Sequence, residues 1–418
     1  MSAPKSAAAV SAGDLRIDDD SGLIATGHAV PRLSWKLRSA LAGVRQEAYE
    51  IEVSADPDFK DTIARSGAVK EGRPYLAPWP APPLRSREVR WWRVRALTNI
   101  GETPWSEAYR LEASLLTPGD WTARPISPRS NVGRKESGAA PLLRRAFVLD
   151  KRIARARLYV TALGLYEVEI NGQAIGNDLL EPGWTVYPKR LLFSTYDVTT
   201  LLQEGPNVIC AVIGDGWYRG ELSWNLNRNN YGATTALLAQ LEIALVDGTN
   251  VVIATDESWK GSYGAVRDAE LYHGTTLDLR LEPEGWRESG FYDGAWEPVV
   301  ALGLPSGLEP RDMPAVRVVE RRILELPAAH TEGKPIRLDA GQNLTGYLTI
   351  AAHGPSGARL VVRHAEVLDE QGLLNTAPLR KARATDTYIL DDRATAVLRP
   401  PFTFSNLRSA PAESASNF

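Results

Sequence analysis

The strongest constraint on this chain is a two-residue rhythm. Between Tyr49 and Ser54 the order Tyr-Glu-Ile-Glu-Val-Ser alternates apolar with polar, and Trp92, Val94 and Ala96 alternate with Arg93 and Arg95. Successive side chains of an extended strand point to opposite faces, so this pattern marks strands with one buried face. Tyr166, Val168 and Ile170 repeat it against Glu167 and Glu169, and the run ends on Asn171-Gly172. That dipeptide tolerates the positive φ of a tight type I′ turn and predicts a hairpin. Further strands are expected over 207–213, 236–246, 250–255, 347–352, 359–363 and 387–390, while amphipathic helical stretches are scarce. The predicted class is all-β, built of sandwiches.

At 418 residues the chain has room for about three domains of roughly 150 residues each. Stretches rich in proline and glycine at 117–139 and 302–314 read as linkers. The expected domains are therefore 14–118, 140–305 and 312–404. A tail over 405–418, where small polar residues replace the strand pattern, is expected to be disordered.

Charge and cysteine content narrow the function. There are 48 basic and 51 acidic side chains and no long basic run, so neither nucleic acid nor an anionic membrane is an expected partner. No run approaches the ~18 apolar residues of a membrane span. One cysteine, Cys210, allows neither an internal disulfide nor a Cys-Cys zinc knuckle, and the five histidines lack metal-ligand spacing. The alanine-rich start is too short and weak for a signal-peptide core, which predicts a cytoplasmic protein.

Two clusters could carry chemistry. Gly214-Asp215-Gly216-Trp217-Tyr218-Arg219-Gly220 follows an apolar run, as a dinucleotide fingerprint would. Its last glycine comes one residue late and no amphipathic helix follows, which argues against a Rossmann site. Two readings remain: the glycines bend a loop so that Trp217 and Tyr218 pack, or those rings, with Asp215, Arg219 and Asn230 nearby in sequence, bind a sugar through ring stacking and hydrogen bonds. The second cluster is the asparagine-rich run from Asn225 to Asn230. Such runs are mostly surface turns. Together with Asn177 and Asp178 it also offers the hard oxygens that calcium prefers, so calcium is a possible ligand and no cofactor is required. A glycosidase would need two carboxyl groups flanking the scissile bond, and nothing singles out a pair among so many acids.

In the first segment, Pro31-Arg32-Leu33-Ser34-Trp35, Trp92 to Ala96 and Thr103-Pro104-Trp105-Ser106 resemble a fibronectin type III domain. A longer series is more specific. Ile170-Asn171-Gly172, Pro182-Gly183-Trp184-Thr185-Val186-Tyr187, Tyr196-Asp197-Val198 and the segment 214–220 stand in the same order as in bacterial α-L-rhamnosidases of glycoside hydrolase family 78, which this chain resembles. Asp339-Ala340-Gly341-Gln342-Asn343, Arg363-His364-Ala365-Glu366-Val367-Leu368, Asp386-Thr387-Tyr388 and Pro400-Pro401-Phe402 extend the resemblance into a third β-domain. It implies the front part of an inverting hydrolase that removes terminal L-rhamnose from glycosides or polysaccharides, with the catalytic carboxylates on an (α/α)6 barrel. That barrel's acid-rich motif is not in this sequence, so no catalytic residue is carried over. The expectation is three consecutive sandwiches, fibronectin type III-like, jelly-roll-like and a third β-sandwich, catalytically inactive alone, with carbohydrate binding as the activity left open to them. The alternatives are a subunit serving a separately encoded barrel and a purely structural scaffold.

Overall fold

The computed structural model describes residues 10–18, 24–304, 306–326, 335–393 and 395–415, with the backbone alone over 407–415. The chain divides into two compact units, one made of residues up to Thr122 with Leu308–Pro314, the other of Ala123–Gly307 with the residues from Ala315 onward.

The first unit is an antiparallel sandwich. Val10–Ile17, Arg32–Ser39 and Ala77–Pro78 form one sheet; Thr62–Arg65, Gln46–Ser54 and Val89–Thr98 form the other, which Gly101–Glu102 and Tyr109–Glu112 extend. The two alternating segments read from sequence lie side by side, with Tyr49 opposite Ala96, Ile51 opposite Val94 and Val53 opposite Trp92. Their apolar faces join Leu33, Trp35 and Leu111 in the core. Glu52 lies on the polar side yet is buried. Burial alone would raise its carboxyl, but hydrogen bonds from Arg93 and Arg65 hold it below the ordinary range.

The second unit carries a large sheet folded over on itself. One half runs Gln173–Ala174, Leu165–Ile170, Gly205–Gly214, Pro141–Leu149, Lys260–Tyr263 and Glu297–Ala301; through Ile126–Pro128 it continues into Ala236–Leu245, Ile153–Leu163 and Arg190–Asp197. Leu143, Val168 and Ile209 of the first half, with Trp259 from the turn before Lys260–Tyr263, meet Leu158, Ala239, Leu241 and Tyr196 of the second in one core. The expected hairpin is present: Ile170 pairs with Gln173 across Asn171 and Gly172, whose φ angles are 51° and 74°.

Three expectations change. The stretch 117–139 is no plain linker, because it supplies the strand Ile126–Pro128 and the buried Asn131, whose amide donates to Ser127 and Thr235. The regions expected as two separate sandwiches, 140–305 and 312–404, are continuous. Gly274–Asp278 pairs in parallel with Thr385–Ile389, so one six-stranded sheet holds strands of both. A shared core of Leu142, Val212 and Trp286 with Val362, Tyr388 and Phe402 lies against it. Gly214 permits this packing, since a Cβ there would stand 2.6 Å from Phe402 Cγ. Finally, the tail expected to be disordered is a strand over Ser405–Ala415, paired with Ile336–Gly346 on one side and Arg359–Arg363 on the other. Backbone hydrogen bonds on both edges override a composition that is poor in β-formers. Residues 416–418 lie outside the described residues.

Candidate carbohydrate-binding site

The segment 214–220 closes the Gly205–Gly214 strand with a single helical turn, Gly216–Arg219. That turn sends neighbouring side chains in different directions. Asp215 and Arg219 point inward and Trp217 outward. Asp215 Oδ1 accepts from Arg219 Nε at 2.9 Å and its Oδ2 from Arg228 Nη2 at 2.6 Å. Arg219 also donates to Asn131 Oδ1 at 2.8 Å, and Arg228 to Glu270. Asp215, expected to hydrogen-bond a sugar, is instead the hub of a buried ion network. Removing it from water demands opposite charge, and two guanidinium groups supply that charge.

Tyr218 is likewise turned inward, edge-on to Tyr187 with ring centroids 5.1 Å apart, and burial raises its phenol. Gly232 makes room for it, because a Cβ there would fall 2.2 Å from the Tyr218 hydroxyl. Packing, not ligand contact, explains this residue. Trp217 differs: it is half-buried and stacks on Trp184, with planes 4° apart and centroids at 6.1 Å. Trp184 is 53% exposed. Its Nε1 donates to the Tyr231 hydroxyl at 3.2 Å, and the Tyr231 ring leans on Tyr187 at 4.9 Å. The result is an outward-facing indole, fixed from behind by a second indole and at its edge by a phenol. Such a face suits the C–H surface of a pyranose, and the surrounding hydroxyls can take hydrogen bonds. No local pattern in the sequence joins Trp184 to Tyr231, since 47 residues separate them.

Asn177 and Asp178 line a separate cleft of about 440 Å³ with Glu167, Glu169, Tyr347 and Arg399. Glu167 is held by Arg399 through two bonds of 2.7 and 2.9 Å. Burial raises the Glu169 carboxyl while Arg287, 3.0 Å away, opposes it. Asp178 is bonded to Arg317 Nε at 2.6 Å and to the Tyr196 hydroxyl at 3.2 Å. This donor set does not fit calcium: a guanidinium occupies the carboxylate that the ion would need, and like charges repel there. The asparagine loop is engaged elsewhere. Asn229 donates to Lys135 O and Asn230 to Asn227 O, so the oxygens grouped by sequence reasoning have different partners. Among the described residues no group of three or more His, Cys, Asp or Glu side chains could hold a metal ion, and no helix is long and apolar enough to cross a membrane.

Comparison with known proteins gives the lineage. Residues 12–117 match a Rha78A-like N-terminal immunoglobulin domain, 151–320 an α-L-rhamnosidase N-terminal domain, and 329–415 a bacterial α-L-rhamnosidase concanavalin-like domain. The chain belongs to the α-L-rhamnosidases of glycoside hydrolase family 78, as an N-terminal β-sandwich portion. An α-L-rhamnosidase of an Alteromonas species is 34% identical over 91% of this chain and 42% of its own length. Among solved structures, the α-L-rhamnosidase of Aspergillus terreus superposes with a TM-score of 0.89 at 35% identity, covering 97% of this chain and 47% of that one. That of Streptomyces avermitilis, solved in complex with L-rhamnose, superposes at 0.90 with 25% identity, covering 98% and 56%. The chain thus spans about half the length of these rhamnosidases. Its first domain, expected as fibronectin type III-like, is matched by an immunoglobulin description; both are antiparallel sandwiches with Greek-key connections.

Proposed function

We propose that this region recognises the terminal α-L-rhamnoside of a glycoside or polysaccharide, and that the Trp184–Trp217 stack is its sugar-contacting face. The observation that carries the reading is the exposed Trp184, held parallel to Trp217 and bonded to Tyr231. A large apolar ring kept in water by two supporting contacts has no packing role on its outer side. Rhamnose presents an apolar C–H edge and a methyl group, which such a ring can cover. The rhamnosidase relatives, one of them solved with L-rhamnose, support the choice of sugar.

Bond cleavage belongs, in this reading, to a barrel domain like that of the family, whether joined to this region or encoded separately. The cleft carboxylates Glu167 and Glu169 are engaged by Arg399 and Arg287, which suits them to holding strands together and not to an acid–base pair. The lone buried Cys210, its thiol pushed up to about 12 by burial, needs no oxidising compartment and is in keeping with the cytoplasm.

Isothermal titration with methyl α-L-rhamnoside tests the assignment. Trp184→Ala should weaken binding by about tenfold or more, equivalent to about 1.4 kcal/mol, with an unchanged melting temperature. Equal affinity in the variant would refute it.

A further inference from the structure

Outside that face, a second aromatic surface stands beside unpaired positive charge. Trp224 lies at the tip of a loop pinned at its base, where Leu222 and Asn227 exchange backbone hydrogen bonds of 2.9 and 3.0 Å. It is 70% exposed. The Arg380 guanidinium sits 4.0 Å over one face of its ring. Arg380, Lys381 and Arg383 follow one another in an exposed segment, and among the described residues none of the three side chains is in an ion pair with a carboxylate. The segment is anchored to the exposed Tyr272, whose carbonyl accepts from the amides of Arg383 and Ala384 at 3.1 Å each.

The carboxylates closest in the bonding network are already engaged. Glu221 faces His273 Nε2 at 2.8 Å, Glu270 takes Arg228 and the Glu221 amide, and Asp386 takes His364 and the Thr275 amide. Among the described residues no carboxylate is therefore paired with the basic segment. Backbone strain gathers in the same loops: Ser223, Leu226, Arg380 and Ala384 have φ of 66°, 55°, 58° and 42°. Side chains tolerate that region poorly, and such strain persists where the surroundings enforce it, often at ligand sites.

We propose that Trp224, Tyr272 and the Arg380–Lys381–Arg383 segment form a second glycan subsite, selective for an anionic sugar residue such as a uronate. The inference rests on the glycan-binding reading above and adds the class of the neighbouring residue. The open face of Trp224 takes the sugar ring, and the guanidinium groups take its carboxylate through charge-assisted hydrogen bonds. The glycan recognised would carry acidic residues along with rhamnose.

The test uses an oligosaccharide alternating rhamnose with a uronic acid, the same oligosaccharide after carboxyl reduction, and polyglutamate. The acidic form should bind at least about tenfold more tightly than the reduced form; Arg380→Gln should remove that advantage while leaving the reduced form's affinity as it was, and Trp224→Ala should remove it while weakening the reduced form as well. Equal binding of the two forms, an advantage that survives both substitutions, or full competition by polyglutamate would overturn the proposal. A reduced form that fails to bind, beside an acidic form whose binding depends on Trp224 and Arg380, would support this subsite and contradict the one at Trp184.

Discussion

Asp215 shows what decides the fate of a polar residue in a motif. A carboxylate next to exposed rings can serve a ligand or the fold, and here Arg219 and Arg228 claim both of its oxygens. The Arg219 pairing is local to the motif, four residues on, but the pairing with Arg228 could not be read from it, since that depends on how the asparagine-rich loop returns. Asn131, which completes the network, comes from 88 residues upstream of Arg219. Aromatic character, by contrast, is legible at Trp217, while its stacking partner Trp184 and the Tyr231 that holds Trp184 are not marked by any local pattern. The expected consequence of Asp215→Ala is a loss of about 3–5 kcal/mol in chemical denaturation, because the buried Arg219 guanidinium loses its counter-charge and Arg228 keeps only Glu270. Rhamnoside affinity of the folded fraction should stay unchanged. A stable variant with weakened binding would return Asp215 to the sugar site.

Among elements, the alternating strands were readable because a half-buried sheet imposes its period on the sequence. Ser405–Ala415 was not readable, since its place is fixed by Ile336–Gly346 and Arg359–Arg363 and not by its own residues. Deleting 405–418 should therefore lower the melting temperature by roughly 5 °C or more, as expected when a central strand is lost. An unchanged transition would mean the strand adds nothing. The turn Pro118–Asp120 offers a pH-dependent counterpart in the first unit. Burial works to raise the Asp120 carboxyl, but bonds from Ser86, Arg87 and Thr117 prevail and lower it to about 2. A depressed carboxyl stabilises the fold above its unfolded pKa near 3.9, and that contribution, roughly 2–3 kcal/mol, fades as pH falls from about 4 toward 2. Acid titration of unfolding in this window should be shallower in Asp120→Asn than in the native chain; identical slopes would exclude the turn as the source.

At the scale of the whole molecule, the class and the family order of motifs were legible, while the merging of the last two regions was not. A parallel pairing between Gly274–Asp278 and Thr385–Ile389 joins residues more than a hundred positions apart, and no local pattern announces it. The shared core around Phe402 and Gly214 makes the middle region depend on the last one for its packing. Trp184 stands on this joined unit, held by Trp217 and Tyr231, and is the face proposed for the rhamnoside. The most direct measurement is a titration of the 15N-labelled chain with methyl α-L-rhamnoside, following the tryptophan indole resonances, with Trp184 assigned by its disappearance in Trp184→Phe. The Trp184 signal should move with saturation, Trp217 should follow to a smaller extent, and Trp224 should stay in place. A Trp184 resonance that remains fixed at saturating sugar would rule out rhamnoside contact at this ring.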